Sequence, residues 1–123
     1  METSNVLAAL AALAQETRLA VYRLLVEHAP DGLPAGKIAE RLDLAPASLS
    51  FHLKELARAS LVVSRQDGRF VWYRADLDAM LGVVSYLTEN CCRSSAVCAP
   101  ECVPVTRPVA RVAVRPAKRP RPA

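Results

Sequence analysis

Val6, Leu7, Leu10 and Leu13 recur at intervals of three and four, which predicts a first short helix with one apolar face, set either on its own domain or on a partner. From Glu16 to His28 the polar positions Glu16, Arg23 and Glu27 share one side. Leu19, Val21, Leu24 and Leu25 populate the rest, so the second helix is expected to be largely buried and to end at Pro30-Asp31-Gly32. Pro34 is suited to open a third, short helix with Ile38 and Leu42 inward. After the tight turn Asp43-Leu44-Ala45, Pro46 opens a fourth helix in which Leu49, Leu53 and Leu56 fall at i, i+4 and i+7. Its outward side then carries Ala47, Ser48, Ser50, Phe51, Lys54 and Arg58.

The periodicity next changes from helical to strand-like. Leu61 to Arg65 and Arg69 to Tyr73 are β-rich segments around Gln66-Asp67-Gly68, where Asp-Gly is a strong hairpin signal. Asp76 is expected to begin a fifth helix, with Leu77, Met80, Leu81, Val84 and Leu87 in one stripe running to a cysteine pair. Prolines interleaved with Arg and Lys follow, so residues from Ser94 on read as mostly unstructured. The expected fold is mainly α with a β-hairpin wing, a winged helix-turn-helix over residues 1–92, followed by a cysteine-containing, Pro/Arg-rich tail over 93–123. With 52% hydrophobic but only 5% aromatic residues, the core must be built from Leu, Val and Ala, which favours small helices over a sandwich or barrel.

The net charge of +4 hides two parts of opposite sign. Through Cys92 there are nine Lys/Arg against eleven Asp/Glu; beyond it there are seven against Glu101. Any nucleic-acid argument for the folded part therefore rests on local placement rather than on the basic total. The apolar run Val6 to Leu13 is too short to span a membrane, and Met1-Glu2 lacks the basic region of an export signal. The expected location is cytoplasmic, with no membrane partner, and the thiols are expected to be reduced.

Two short helices joined by a three-residue turn and followed by a hairpin give the order of a DNA reader, whose second helix enters the major groove. The candidate contacts on that helix are Ala47, Ser48, Ser50, Phe51, His52 and Lys54; Arg65 and Arg69 flank the hairpin tip, where a wing meets phosphate or the minor groove. The same side chains are also compatible with a merely solvated helix and a charged turn. His52, beside the leucine stripe, suits a hydrogen-bonded residue at the edge of the core as well as a base contact.

The segment Leu33 to Val63, with Lys-Ile-Ala-Glu-Arg-Leu, then Ser48-Leu-Ser-Phe-His52-Leu53-Lys-Glu-Leu56 and Ala-Ser-Leu-Val, resembles the helix-turn-helix of the ArsR/SmtB family of metalloregulatory repressors. Gln15-Glu16-Thr17-Arg18-Leu19 and the Asp67-Gly68-Arg69 wing fit the same family, so the resemblance covers about residues 5–92. One departure is Asp43, where the family commonly has Gly; Asp tolerates the left-handed conformation better than most residues. The resemblance implies a homodimer built largely from the first and last helices. It also implies that the dimer binds an inverted repeat in double-stranded operator DNA and represses until an inducer arrives.

All four cysteines lie within a dozen residues: Cys91, Cys92, Cys98 and Cys102. Such a cluster, on a segment with little means of burying it, suits capture of a soft metal or metalloid better than core packing. The family's Cys-Val-Cys site near the third helix is absent, and Asp76 and Asp78 have no histidine companions for a zinc-type site on the last helix. The spacing Cys-Cys-x5-Cys resembles that of arsenite-responsive members, which implies Cys91, Cys92 and Cys98 as three thiolates for As(III) or Sb(III) as inducer, with Cys102 as a candidate fourth ligand. Zinc, cadmium or another soft metal, and a thiol redox switch, are the competing readings of the cluster. An enzyme such as an arsenate reductase fits poorly, and no catalytic cofactor is expected. Its Cys-x5-Arg cradle is missing, because the sixth residues after the four cysteines are Val97, Cys98, Pro104 and Pro108.

Overall fold

The computed structural model describes residues 1–94. Helices α1 (Thr3–Leu13) and α2 (Glu16–Glu27) precede a two-residue strand β1 (Leu33–Pro34). Helices α3 (Ala35–Leu42) and α4 (Pro46–Arg58), strands β2 (Val62–Asp67) and β3 (Phe70–Ala75), and helix α5 (Leu77–Thr88) follow. All five expected helices and both hairpin strands are present. The chain is a winged helix-turn-helix, mainly helical with an antiparallel hairpin.

β1 adds an element that periodicity did not indicate. Leu33 pairs with Tyr73 and Pro34 with Trp72, making a three-stranded antiparallel sheet in the order β1-β3-β2. Pro34 is therefore the extended cap of α3, not its first helical residue. Its missing N–H costs little at a sheet edge and at a helix start alike. Gly32, at φ 85°, lets the chain enter this edge; a methyl there would overlap the Tyr73 carbonyl oxygen and lie 2.8 Å from the Arg74 Cα.

The turn between α3 and α4 forms as its residues require. Asp43 takes the left-handed conformation at φ 54°, ψ 52°, and the Leu44 N–H bonds back to the Ala39 carbonyl at 3.0 Å. Pro46 then occupies the first turn of α4. The hairpin is tighter than the Gln66-Asp67-Gly68 loop expected from sequence. Asp67 pairs with Phe70, so Gly68 and Arg69 alone make the turn; φ is positive at Gly68 only, the pattern of a II′ turn.

The chain divides into two compact units, the first ending at Met80 within α5. In the first unit, Leu25, Ile38, Leu49, Leu53, Leu56 and Leu61 are the large side chains most completely enclosed. α1 contributes Val6, Ala9 and Ala12 rather than its leucines. Small residues allow it to lie close to α2 and α4, and this turns Leu7, 60% exposed, and Leu10 toward solvent. On α2, Val21, Tyr22 and Leu25 are buried while Leu19 is exposed, so that helix is less enclosed than its composition suggested. α5 buries Val83 and leaves Leu77, Leu81 and Leu87 of the expected stripe exposed.

Candidate nucleic-acid interface and cysteine cluster

Burial of Leu49, Leu53 and Leu56 fixes the rotation of α4 and therefore what it presents outward. Ala47, Ser48, Ser50, Phe51 and Lys54 are all exposed. At roughly 100° per residue, Phe51 lies within roughly 15° of the direction opposite the three leucines. Ser50 is closer to the core edge, lining with Leu49, Leu53 and Tyr73 a shallow cleft of about 160 Å3 between α3, α4 and β3. Arg58 extends the outward face toward the C-terminus of α4 and pairs with Glu55 at 3.1 Å.

His52 does not share that face. It is half-buried, and its Nδ1 is 3.3 Å from the Arg18 guanidinium. The same Arg18 donates from Nε to the Ala12 carbonyl at 2.8 Å, while its backbone N–H is capped by Gln15 Oε1 at 2.8 Å. One arginine thus ties the end of α1 and the start of α2 to the middle of α4. Arg18 is a structural member of the site that charge placement alone did not single out.

The wing places its two arginines differently. Arg65, on β2, lies opposite Trp72, its guanidinium carbon 4.9 Å from the indole ring, and donates to the Asp31 carbonyl at 3.2 Å. Arg69 sits in the turn itself, next to Phe70, which is 61% exposed. Trp72 and Asp31 position Arg65 and were not anticipated; counting the register back from a two-residue turn is the signal that would have paired Arg65 with Trp72.

The cysteine pair lies just past α5 rather than on its last turn. Thr88 Oγ1 bonds back to the Val84 carbonyl at 2.9 Å, and Asn90 adopts φ 65°, so the helix stops and residues 89–94 continue as turns. The Cys91 N–H bonds to the Thr88 carbonyl at 3.0 Å. The Sγ atoms of Cys91 and Cys92 are 3.5 Å apart, too far for a bond between them and near enough for both to reach one soft ion at metal–sulfur distances of about 2.3 Å. Among the described residues no three His, Cys, Asp or Glu side chains come together as a metal site. Cys98 and Cys102 lie outside the described residues.

The comparisons with known proteins place this geometry in a class. Residues 13–65 match the family model described as a helix-turn-helix domain. The nodulation protein NolR of Rhizobium meliloti is 30% identical over 80 residues, 65% of this chain and 63% of that protein, so this chain spans under two thirds of that relative's length. The solved structure of HlyU from Vibrio cholerae is 29% identical, with a TM-score of 0.55 over 75% of this chain and 99% of that one. A structure described as a possible transcriptional regulator for arsenical resistance is 28% identical, with a TM-score of 0.57 over 64% and 79% of the two chains. The chain is thus similar in fold to winged helix-turn-helix proteins, one of which is described as a possible transcriptional regulator. Among the described residues no helix is long and apolar enough to cross a membrane.

Proposed function

We propose that the chain is an ArsR/SmtB-type repressor that binds an inverted repeat in operator DNA as a cytoplasmic homodimer and is released when As(III) or Sb(III) binds Cys91, Cys92 and Cys98. The observation that carries the reading is the 3.5 Å separation of the sulfurs of the adjacent residues Cys91 and Cys92, in the turn just past α5. Two thiolates at that spacing need one more soft ligand for a three-coordinate pyramidal metalloid, and Cys98 supplies it at the spacing noted above. The resemblance to a regulator described in terms of arsenical resistance supports the same inducer.

Exposed leucines on α1 and on α5 support the dimer, because a monomer would leave both rows in water. Ligand and DNA are then linked through α5: whatever factor metalloid binding takes from DNA affinity, DNA takes from metalloid affinity. Drawing Cys98 onto the pair changes the order or angle of the helix that helps to space the two recognition helices. Operator binding titrated against arsenite, antimonite, zinc and cadmium tests the reading. Release by the first two at the lowest concentrations is expected; release by zinc or cadmium alone, or by oxidant alone, would replace the inducer by one of the competing classes.

A further inference from the structure

Phe51 is the large apolar side chain that α4 turns away from its core, and it is 56% exposed. A solitary exposed apolar residue is ordinary on a protein surface. Two features set this one apart. It stands at the centre of the outward face, with Ala47 and Ser48 one turn before it and Lys54 one turn after. Its ring is also held: the His52 imidazole meets it edge to face, with centroids 5.5 Å apart and planes at 64°. That imidazole lies 3.3 Å from the Arg18 guanidinium, which is anchored on the Ala12 carbonyl. The contact favours one direction of the ring before any ligand arrives.

Resting on the repressor reading above, we infer that Phe51 is a specificity-determining residue that reads the 5-methyl group of a thymine in each half-site. The methyl is the apolar feature that the major groove offers, and apolar side chains recognise it by contact rather than by hydrogen bonding. Ser48 and Lys54 flank the ring and take polar base edges or phosphate. The Arg18–His52 pair acts as a positioning device for the contact.

The test uses the full-length chain and a duplex enriched by that chain from a random pool. Each thymine is replaced in turn by deoxyuridine, which removes the methyl and keeps every hydrogen-bonding group, and affinity is followed by fluorescence anisotropy. One position per half-site is expected to weaken wild-type binding about fourfold, and changing both half-sites about fifteenfold, as for a buried methyl-sized group. Phe51→Ala is expected to bind the thymine duplex more weakly and to lose the thymine–uracil difference, whereas Phe51→Leu keeps part of it. Wild-type affinity indifferent to uracil at every position would overturn the inference while leaving the repressor reading in place. Full discrimination by Phe51→Ala would also overturn it, assigning the methyl to another residue. Enrichment of no sequence would remove the repressor reading and the inference together.

Discussion

Arg18 and His52, 34 residues apart, meet at 3.3 Å between a guanidinium nitrogen and Nδ1. Because the same guanidinium donates to Ala12, the contact couples the α1–α2 junction to α4. Arg18→Met keeps much of the packing volume and removes the donors, leaving the half-buried Ala12 carbonyl and His52 Nδ1 unmatched. A loss of about 1 to 3 kcal/mol in urea unfolding is expected. His52→Phe in the Arg18→Met background should cost less than in the wild type, because the two act through one contact. Fully additive losses would show that the contact carries no energy.

Two glycines are predicted to respond in opposite directions to the same change. Gly32→Ala puts a methyl into the Tyr73 carbonyl at a backbone φ of 85°, so β1 must separate from β3 or the turn must deform. A cost above about 2 kcal/mol is expected. Gly36 lies in the first turn of α3, with nothing within 4 Å of the added methyl. Gly36→Ala should stabilise by about 0.5 to 1 kcal/mol through helix propensity. Thermal unfolding of the two variants reads both signs directly.

Tyr22 is buried on α2, and its hydroxyl has no hydrogen-bond partner among the described residues. Burial, and secondarily the charge of Asp76, push its ionisation above the usual 10.0. The stability associated with the neutral phenol is fully present below pH 10.0 and is lost as pH rises above it, because the unfolded chain ionises first. Tyr22→Phe should therefore leave stability at pH 7 unchanged or raise it by up to about 1 kcal/mol, and should flatten the alkaline part of the profile. Melts from neutral to strongly alkaline pH check both parts, and a clear loss at pH 7 would mean that the hydroxyl is satisfied after all.

The helix-turn-helix was legible because its signals are local. Asp43 and Pro46 bracket the turn by backbone preference alone, and the leucines of α4 fix its buried face by spacing. β1 was not legible, since two residues carry no periodicity and their pairing with Tyr73 and Trp72 is a long-range event. α1 misled for a related reason. Its leucines have the right spacing for a core, but the alanines between them allow closer helix packing and take the inward side. His52 illustrates the limit for sites. Sequence admitted both a base contact and a core-edge role, and the contact with Arg18 from another helix is a long-range event that spacing along α4 does not reveal.

The outward leucines of α1 yield a prediction about assembly. Leu7 is 60% exposed, on the side of α1 away from Val6 and Ala9, and Leu10, 39% exposed, lies at the flank between the two sides. A charge there costs the folded monomer little but is strongly disfavoured in an apolar interface. Leu7→Glu is expected to fold with near wild-type helicity while sedimenting as a monomer and losing most affinity for a two-half-site operator. A dimer of unchanged stability would move the interface off α1.

The last prediction separates the cysteines. Cys91 and Cys92 present their sulfurs 3.5 Å apart, and the chain beyond them, outside the described residues, carries Cys98 and Cys102. A single serine at Cys91, Cys92 or Cys98 leaves a hard hydroxyl where a soft thiolate is needed, so each variant should bind operator and resist arsenite. Cys102→Ser should stay inducible, because Pro100 restricts the link to the later cysteine and makes four-fold closure harder. Arsenic K-edge absorption counts the sulfurs in each variant. Three in the wild type and in Cys102→Ser, with two in Cys98→Ser, is the expected result; a drop on losing Cys102 and none on losing Cys98 would transfer the third ligand to Cys102.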